Sequence, residues 1–310
     1  MVKIKSTQMD AVLVATGSGC RAFTDAGEDK IELAGWRVCA VAPEIGGACL
    51  AVVDGREIWR RDASGAWSRV TTTGICLQSI ASVGGTIFGG GMDEAVMVRI
   101  PASGEAERLK GFDNVPGRSE WFGHGPPLGV RALTATADGA AILAAVHVGG
   151  IPRSSDGGET WTSTVPVMFD VHEVCAHPSL SNIVAAAAAV GLCMSHDGGR
   201  NWNVLSEGLE MTNSLAVAVL DEEVLFSIQD GPFAKRSQVW RWRIGGERVE
   251  QVRDGLPEWL DGKIDTAHIT ASCGRAAIVD GGGNLWLSTA GSSGWERIAT
   301  GLYAFGLLIL

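Results

Sequence analysis

Short apolar runs alternate with glycine-containing turns along the whole chain. The segments 48–54, 141–148 and 183–190 are typical, since each is apolar, strand-sized and closed by a turn. Runs of this length bounded by turn residues predict β-strands rather than helices. A glycine that ends the second strand of each unit recurs at 19, 55, 90, 149, 191, 231 and 281. This recurrence predicts seven repeats, each one a sheet of four strands.

The two ends of the chain supply complementary pieces of one repeat. The first repeat begins at its second strand, and segment 305–310 is a strand without neighbours of its own. We therefore expect this last strand to complete the first sheet and close a ring, which removes exposed sheet edges. The predicted fold is all-β, a seven-bladed β-propeller of four-stranded blades. No second domain is required, so residues 1–310 are expected to form a single propeller domain.

One turn motif occurs twice, at 154–161 and 195–202, and reads Ser-x-Asp-x-Gly-x-(Thr/Asn)-Trp. The Ser and Asp side chains can accept backbone N–H groups, the Gly permits positive φ, and the Trp supplies an apolar anchor. Partial copies keep Asp62 with Trp67, and Ser288 with Trp295. The pattern resembles the Asp-box, or BNR, repeat of sialidase-like β-propellers. The resemblance implies a propeller whose boxes lie at the outer edge, away from any active site.

The whole chain resembles bacterial BNR/Asp-box propellers of the kind labelled glycosyl hydrolases. Sialidases have six blades, a Tyr nucleophile with a Glu partner, an Arg triad and an Arg-Ile-Pro motif. This chain has one tyrosine, Tyr303, just before the closing strand, and carries only Ile151-Pro152-Arg153 leading into a box. Sialidase activity is therefore not expected.

Charge and composition limit the classes of partner and the compartment that we expect. The formal charge of -10 opposes binding of nucleic acid. Apolar runs are too short to span a bilayer, and the first ten residues lack the apolar core of a signal peptide. We therefore expect a cytoplasmic protein without a membrane partner, whose seven scattered cysteines are reduced. Nothing in the sequence indicates the oligomeric state.

Candidate chemistry is concentrated at one end of the predicted channel. In every blade, the loop entering the innermost strand and the loop after the second strand lie on the same face; we call this end the channel mouth. The candidate catalytic residues there are His147, His172, Glu173, Asp265 and His268. The candidate substrate-binding residues are Trp121, His124, Arg131, Asn213, Asp230 and Trp259.

Three interpretations of the histidines remain open. His147 and His172, with His124 or His268 and a carboxylate, could hold Zn²⁺ or a similar divalent metal. The same two imidazoles could instead exchange protons without metal, oriented by Glu173 or Asp265. Alternatively, the histidines cap turns or line a wet channel that does no chemistry.

The functional expectation is an enzyme of hydrolase or lyase type that acts on a small polar molecule at the channel mouth. The alternative is a propeller that binds or assembles partner proteins through its rim. The concentration of His and acidic residues at one mouth favours the enzyme, because a scaffold more often presents an apolar or single-sign surface.

Overall fold

The computed structural model describes residues 12–24, 27, 29–102, 104–122, 128–288 and 294–310. Within these ranges, none of the helices has the length and apolar character that crossing a bilayer demands. The described helices are three single 3₁₀ turns: η1 (Phe112–Asn114), η2 (Arg118–Glu120) and η3 (Val167–Phe169).

The first half of the chain supplies three strands of blade one, all strands of blades two and three, and three strands of blade four. In chain order they are β1 (Val12–Thr16), β2 (Gly19–Phe23), β3 (Asp29–Glu32), β4 (Val38–Pro43), β5 (Cys49–Val53), β6 (Glu57–Arg61), β7 (Trp67–Thr72), β8 (Leu77–Val83), β9 (Thr86–Gly91), β10 (Met97–Ile100), β11 (Glu107–Arg108), β12 (Val130–Ala135), β13 (Ile142–Val146) and β14 (Pro152–Ser154).

The second half completes blade four, supplies blades five to seven, and ends with the last strand of blade one. Its strands are β15 (Thr162–Ser163), β16 (Val171–Ala176), β17 (Val184–Ala188), β18 (Gly191–Ser195), β19 (Asn203–Leu205), β20 (Val217–Val219), β21 (Glu223–Gln229), β22 (Arg236–Arg243), β23 (Val249–Gln251), β24 (Leu260–Asp261), β25 (Ile269–Ser272), β26 (Arg275–Val279), β27 (Leu285–Ser288), β28 (Trp295–Ala299) and β29 (Ala304–Ile309).

These strands form seven antiparallel sheets arranged as a ring, which confirms the predicted fold. Six sheets have four strands, and the blade of β20 to β23 gains a fifth because β24 pairs with β22. The innermost strands contact one another in a closed cycle, β29, β4, β8, β12, β16, β20, β25 and back to β29. The extra strand β24 lies in the connection between blades six and seven.

The C-terminal strand closes the ring as predicted. β29 pairs antiparallel with β1, from Val12 opposite Ile309 to Thr16 opposite Ala304. Leu307 and Ile309 pack with Val12 and Val279, so the closing strand also seals the interface with the seventh blade. Closure leaves no innermost strand without a neighbour in the ring.

Stacking of each sheet between two others explains why many strands are apolar throughout. Every residue of β17 is buried. Ala186 and Ala188 pack with Val171 on one side of this sheet. Ala185 and Ala187 pack on the other side, in the cluster that contains Phe226. Alternate residues of a strand point to opposite faces, so a strand between two blades needs apolar residues at every position.

The two complete boxes fold into the same turn. Ser154 Oγ accepts the Gly158 N–H at 2.9 Å and donates to Asp156 Oδ1 at 2.8 Å. The second copy repeats these contacts, with Gly199 and Asp197 bonded to Ser195 at 2.8 Å each. Both turns connect the third and fourth strands of their blades.

Candidate functional site

The same local irregularity occurs on the innermost strand of five blades. Pairing between the first two strands skips one residue in each, a β-bulge. The skipped residues, in blades one to five, are Phe305, Cys39, Gln78, Arg131 and His172. A bulge re-aims a side chain and is frequent beside active sites. Here the bulges place five side chains at equivalent positions of the channel mouth.

His172 is fixed in one orientation by the next blade. Its Nδ1 lies 2.8 Å from the carbonyl oxygen of Ser214, in a buried contact. Since a carbonyl only accepts hydrogen bonds, the Nδ1 atom carries the proton and donates. In the neutral imidazole, Nε2 therefore presents a lone pair. This Nε2 lies 3.6 Å from Asp170 Oδ2.

Asp170 reaches the imidazoles through an unusual backbone conformation. It follows η3 with φ 49° and ψ 71°, in the left-handed region, which Asp tolerates better than most residues. Its N–H donates to the Val167 carbonyl at 3.1 Å. Contact with the His172 imidazole lowers the pKa of the Asp170 carboxyl against the opposing effect of burial. The group is therefore an anion at neutral pH.

His147 approaches the same carboxylate from blade four. Its Nε2 lies 3.7 Å from Asp170 Oδ1, and the two imidazole centroids are 6.1 Å apart. Burial and the positive charge of Arg131 lower the pKa of His147, so its ring is neutral at neutral pH. His147 Nδ1 and Asp170 Oδ1 are buried without a hydrogen-bond partner among the described residues.

The loop that carries His147 is strained and tightly supported. Val148 has φ 47°, which is unfavourable for a β-branched residue and costs on the order of 1–3 kcal/mol. Gly149 packs so closely that an added Cβ would lie 2.4 Å from Val146 and 3.0 Å from Trp121. Backbone strain of this kind is concentrated at functional sites.

Together these three side chains can act as metal ligands. One donor atom each from His147, Asp170 and His172 lies within 4.8 Å of the others. A tetrahedral zinc shell with bonds of about 2.0–2.1 Å places neighbouring donors roughly 3.4 Å apart. The observed separations of 3.6 and 3.7 Å are close to that spacing. Two imidazoles and a carboxylate leave the fourth position open.

A second polar group lies at the mouth beside the histidines. Arg131 Nη2 donates to Asp265 Oδ1 at 2.9 Å, and Lys263 Nζ contacts Asp265 Oδ2 at 2.6 Å. Burial would raise the pKa of Asp265, but Arg131 and Lys263 outweigh it and lower the pKa to about 2. Arg131 and His172 occupy equivalent bulges on adjacent blades, so the two groups are neighbours.

The mouth opens into a cavity of about 690 Å³, which we call the mouth cavity. Its wall includes Arg37, Arg131, Lys263, Asp265 and Phe233. This volume lies within the range of small-molecule sites. The wall lacks His147, Asp170 and His172. Arg131 joins the two regions, because its charge acts on His147 while its guanidinium lines the cavity.

Glu173 is not one of the three grouped donor residues, although the charges of Arg131 and Asp265 act on it. Its buried carboxylate accepts the Val217 N–H at 2.9 Å and the Ala267 N–H at 3.1 Å. Burial raises its pKa to about 8. These contacts occupy both oxygens of the carboxyl group, and a catalytic role for Glu173 stays a prediction. Glu173 ties together the innermost regions of blades five, six and seven.

His268 is likewise engaged in the fold. Its Nε2 donates to the Ala304 carbonyl of β29 at 3.1 Å, so it holds the closing strand. Burial lowers the pKa of this imidazole. It lines the mouth cavity, but the His147–Asp170–His172 group does not include it.

The predicted substrate residues divide into several places. Trp121 is buried at 7% exposure against Phe112, with Arg118 over its ring at 4.7 Å, so it offers no open face for stacking. Asn213 enters blade six beside Ser214, and its Oδ1 is buried without a partner among the described atoms. Asp230 is exposed. His124 lies outside the described residues.

Trp259 lines a separate pocket of about 730 Å³ that also contains Trp286 and Arg297. Arg236 lies over its ring, 3.8 Å from the centroid. The wall of that pocket includes neither His147 nor His172, so Trp259 is not part of the histidine site.

Sequence reasoning missed Asp170 and Lys263 as members of the site. Asp170 lies two residues before His172, and both project to the same place only because a left-handed residue is followed by a bulge. An acidic residue two positions from a histidine at a strand entrance was the available signal. Lys263 stands two residues before Asp265, a spacing typical of neighbours on one face of an extended segment.

Comparison with known proteins supports the fold. No family model and no curated protein sequence matches the chain. A structure of an ancestral GH74 enzyme matches with a TM-score of 0.65 at 13% identity, covering 96% of this chain and 41% of that one. A structure of a GH74 enzyme from Niastella koreensis matches with a TM-score of 0.69 at 13% sequence identity. The match covers 94% of this chain and 52% of that one. The chain thus spans about half, or less, of these enzymes.

A structure of virginiamycin B lyase from Staphylococcus aureus is similar over more of its own length. Its TM-score is 0.61 at 11% identity, covering 84% of this chain and 83% of that one. Likeness at such low identity shows a shared propeller fold and nothing about residue roles.

Proposed function

We propose that this chain is an enzyme of hydrolase or lyase type that acts on a small polar molecule at the channel mouth, with a divalent metal held by His147, Asp170 and His172. The carrying observation is the pair of imidazole Nε2 atoms directed at one carboxylate, at 3.7 and 3.6 Å. These distances are too long for direct hydrogen bonds and suit a shared cation.

The contacts behind His172 support a metal ligand. Metal-binding histidines almost always donate their second ring N–H to a carbonyl or carboxylate, which fixes the tautomer. His172 does so to the Ser214 carbonyl at 2.8 Å.

Each residue has a distinct role in the proposed chemistry. A bound divalent ion would lower the pKa of water in the open position to about 7. His147 and His172 would hold the ion, and Asp170 would neutralise part of the positive charge of the ion. Arg131 lies beside the site and can stabilise negative charge that develops on a substrate oxygen. The solved enzymes with this fold support the proposal only in showing that propellers can house catalysis.

Zinc binding to protein stripped with EDTA tests the proposal. Calorimetry should show one equivalent of Zn²⁺, with affinity at least about tenfold weaker in His147→Ala and His172→Ala. His196→Ala is the matched control, because His196 is exposed inside an outer turn. Absence of stoichiometric binding, or equal binding by all four proteins, would overturn the metal site.

Turnover of an activated ester tests the catalytic part. The zinc-loaded protein should hydrolyse p-nitrophenyl acetate faster than the stripped protein, and His196→Ala should retain the whole increase. The increase should disappear in His147→Ala. A rate that does not depend on zinc would contradict metal-assisted catalysis even if zinc binds.

A further inference from the structure

The charge of the mouth cavity is opposite to that of the molecule. The chain carries a formal charge of -10, yet three cations, Arg37, Arg131 and Lys263, line the cavity. The carboxylates in its wall are Asp265 and Asp280. Asp280 is buried and accepts hydrogen bonds from Asn284 and Trp286. Among the described residues of the wall, only Asp265 therefore forms ion pairs with these cations, which leaves the cavity positive.

Arg131 and Lys263 are incompletely satisfied by the protein. Both use Asp265 as their ion-pair partner, so two positive charges share one negative charge. Among the described residues, the Arg131 guanidinium forms one hydrogen bond, from Nη2 to Asp265. Its remaining N–H groups can donate to a ligand, and a guanidinium binds carboxylates well because its fork matches two oxygens.

Arg37 adds a third positive charge at the rim. It is exposed, lies over the Phe305 ring at 5.0 Å, and forms no ion pair with the described carboxylates. An arginine stacked on an aromatic ring is held in place while its N–H edges remain free.

Large apolar side chains stand exposed at the same cavity. Phe233 is 93% exposed and Tyr303 is 78% exposed, and both line its wall. Exposed aromatics beside a concave polar site are typical of ligand contacts, since they cover an apolar part of the ligand.

We infer that the mouth cavity recognises a small carboxylate that also carries an apolar or aromatic group, with Arg131, Lys263 and Arg37 binding the carboxylate and Phe233 and Tyr303 covering the apolar part. This inference rests on the proposed function, because it names the class of substrate for that enzyme. Binding of the carboxylate can nevertheless be tested without the metal, because the wall of the cavity contains none of the proposed metal ligands. Arg131, at the bulge next to His172, would place the bound molecule beside the metal position.

A ligand series on metal-free protein tests the inference. The probe is 3-phenylpropionate, titrated by NMR into EDTA-treated protein and compared with 3-phenylpropionamide and with propionate. The acid should bind at least about tenfold more tightly than the amide, because hydrogen bonds from cations to a carboxylate are stronger than those to a neutral amide. It should also bind more tightly than propionate, which lacks the ring.

Variants locate the binding. Arg131→Gln and Arg37→Gln should each weaken 3-phenylpropionate several-fold, and Arg37 is exposed, so its loss leaves folding intact. Arg69→Gln is the control, since Arg69 pairs with Glu57 on the outer part of blade two and should bind as wild type does. Phosphate serves as a second anion and should bind more weakly than the acid.

Each result has one meaning. Equal affinity for acid and amide, stronger binding of phosphate, or unchanged affinity in both cavity variants would overturn the inference. If the acid binds as expected while Zn²⁺ fails to bind wild-type protein, the subsite stands and the proposed metal function falls. If Zn²⁺ binds and the acid does not, the reverse holds.

Discussion

A left-handed peptide at Asp170 lets one carboxylate face two imidazoles. Were this residue extended, the carboxylate would leave His147 and His172 without a common partner. The Ser214 carbonyl then selects the His172 tautomer, and burial keeps His147 neutral. Each feature acts on a single side chain, and together they produce three donors suited to a divalent cation.

Replacing Asp170 by Asn removes the negative charge of the side chain and keeps its size. Asn tolerates left-handed backbone as well as Asp does, so the free energy of unfolding should change by less than about 1 kcal/mol. Zinc affinity should fall by at least about tenfold, because the anionic ligand is gone. Asp54→Asn is the matched control, since Asp54 also has φ 49° and is exposed. Equal zinc affinity for Asp170→Asn and Asp54→Asn would argue against a ligand role.

Asp265 gives a pH-dependent prediction at the same scale. Arg131 and Lys263 hold its pKa at about 2, below the ordinary 3.8, despite burial. A lowered carboxyl pKa stabilises the fold above pH 3.8, and that stability is lost as the pH falls towards 2. Asp265→Asn should therefore cost about 2 kcal/mol at pH 7 and much less near pH 2.5. Urea unfolding at both values measures this, and an equal cost at both would contradict the account.

At the scale of elements, the β-bulges decide what the mouth contains. Strand lengths, turn glycines and the end of β13 follow from the apolar pattern, so the sequence could place His147 and His172 at one mouth. The bulges could not be predicted, because one skipped residue leaves the pattern of apolar positions almost unchanged. Glu173, the residue after the bulge, bonds backbone amides of blades six and seven, and the carboxylate that faces the His172 Nε2 is that of Asp170.

The Gly149 turn offers a test of how the elements support His147. Gly149→Ala would force a methyl against Val146 and Trp121, so we expect a loss of about 1–3 kcal/mol in the free energy of unfolding. Zinc affinity should fall as well, since the adjacent imidazole shifts. Gly74→Ala is the control, because a Cβ there meets nothing within 4 Å. Chemical denaturation and zinc titration of both variants measure these effects, and matching behaviour would sink the idea that tight packing positions His147.

At the scale of the molecule, closure of the ring brings distant parts of the chain to one opening. Arg131 meets Asp265 across 134 positions of sequence only because the blades form a cycle. This much could be predicted, since the seven-fold recurrence and the orphan last strand together require closure. The burial of each side chain could not be predicted, because it depends on how neighbouring blades stack. Trp121 illustrates this, as a loop residue that became part of the core.

Deleting residues 304–310 tests the role of closure. Loss of β29 exposes β1 and removes the His268 contact with Ala304, so cooperative thermal unfolding should disappear and the protein should aggregate. Deleting Leu310 alone is the control, because that residue follows the end of β29. Size-exclusion chromatography and thermal scans of both proteins measure the outcome. A monomeric, cooperatively unfolding protein without β29 would show that closure is dispensable.

Anomalous diffraction from a crystal grown with Zn²⁺ would show whether the three side chains bind a metal. We expect a peak at the zinc edge about 2.0–2.2 Å from His147 Nε2, His172 Nε2 and an Asp170 oxygen, with His172 Nδ1 still bonded to Ser214. A crystal with no peak among these three atoms, and with His172 bonded directly to Asp170, would contradict the metal site.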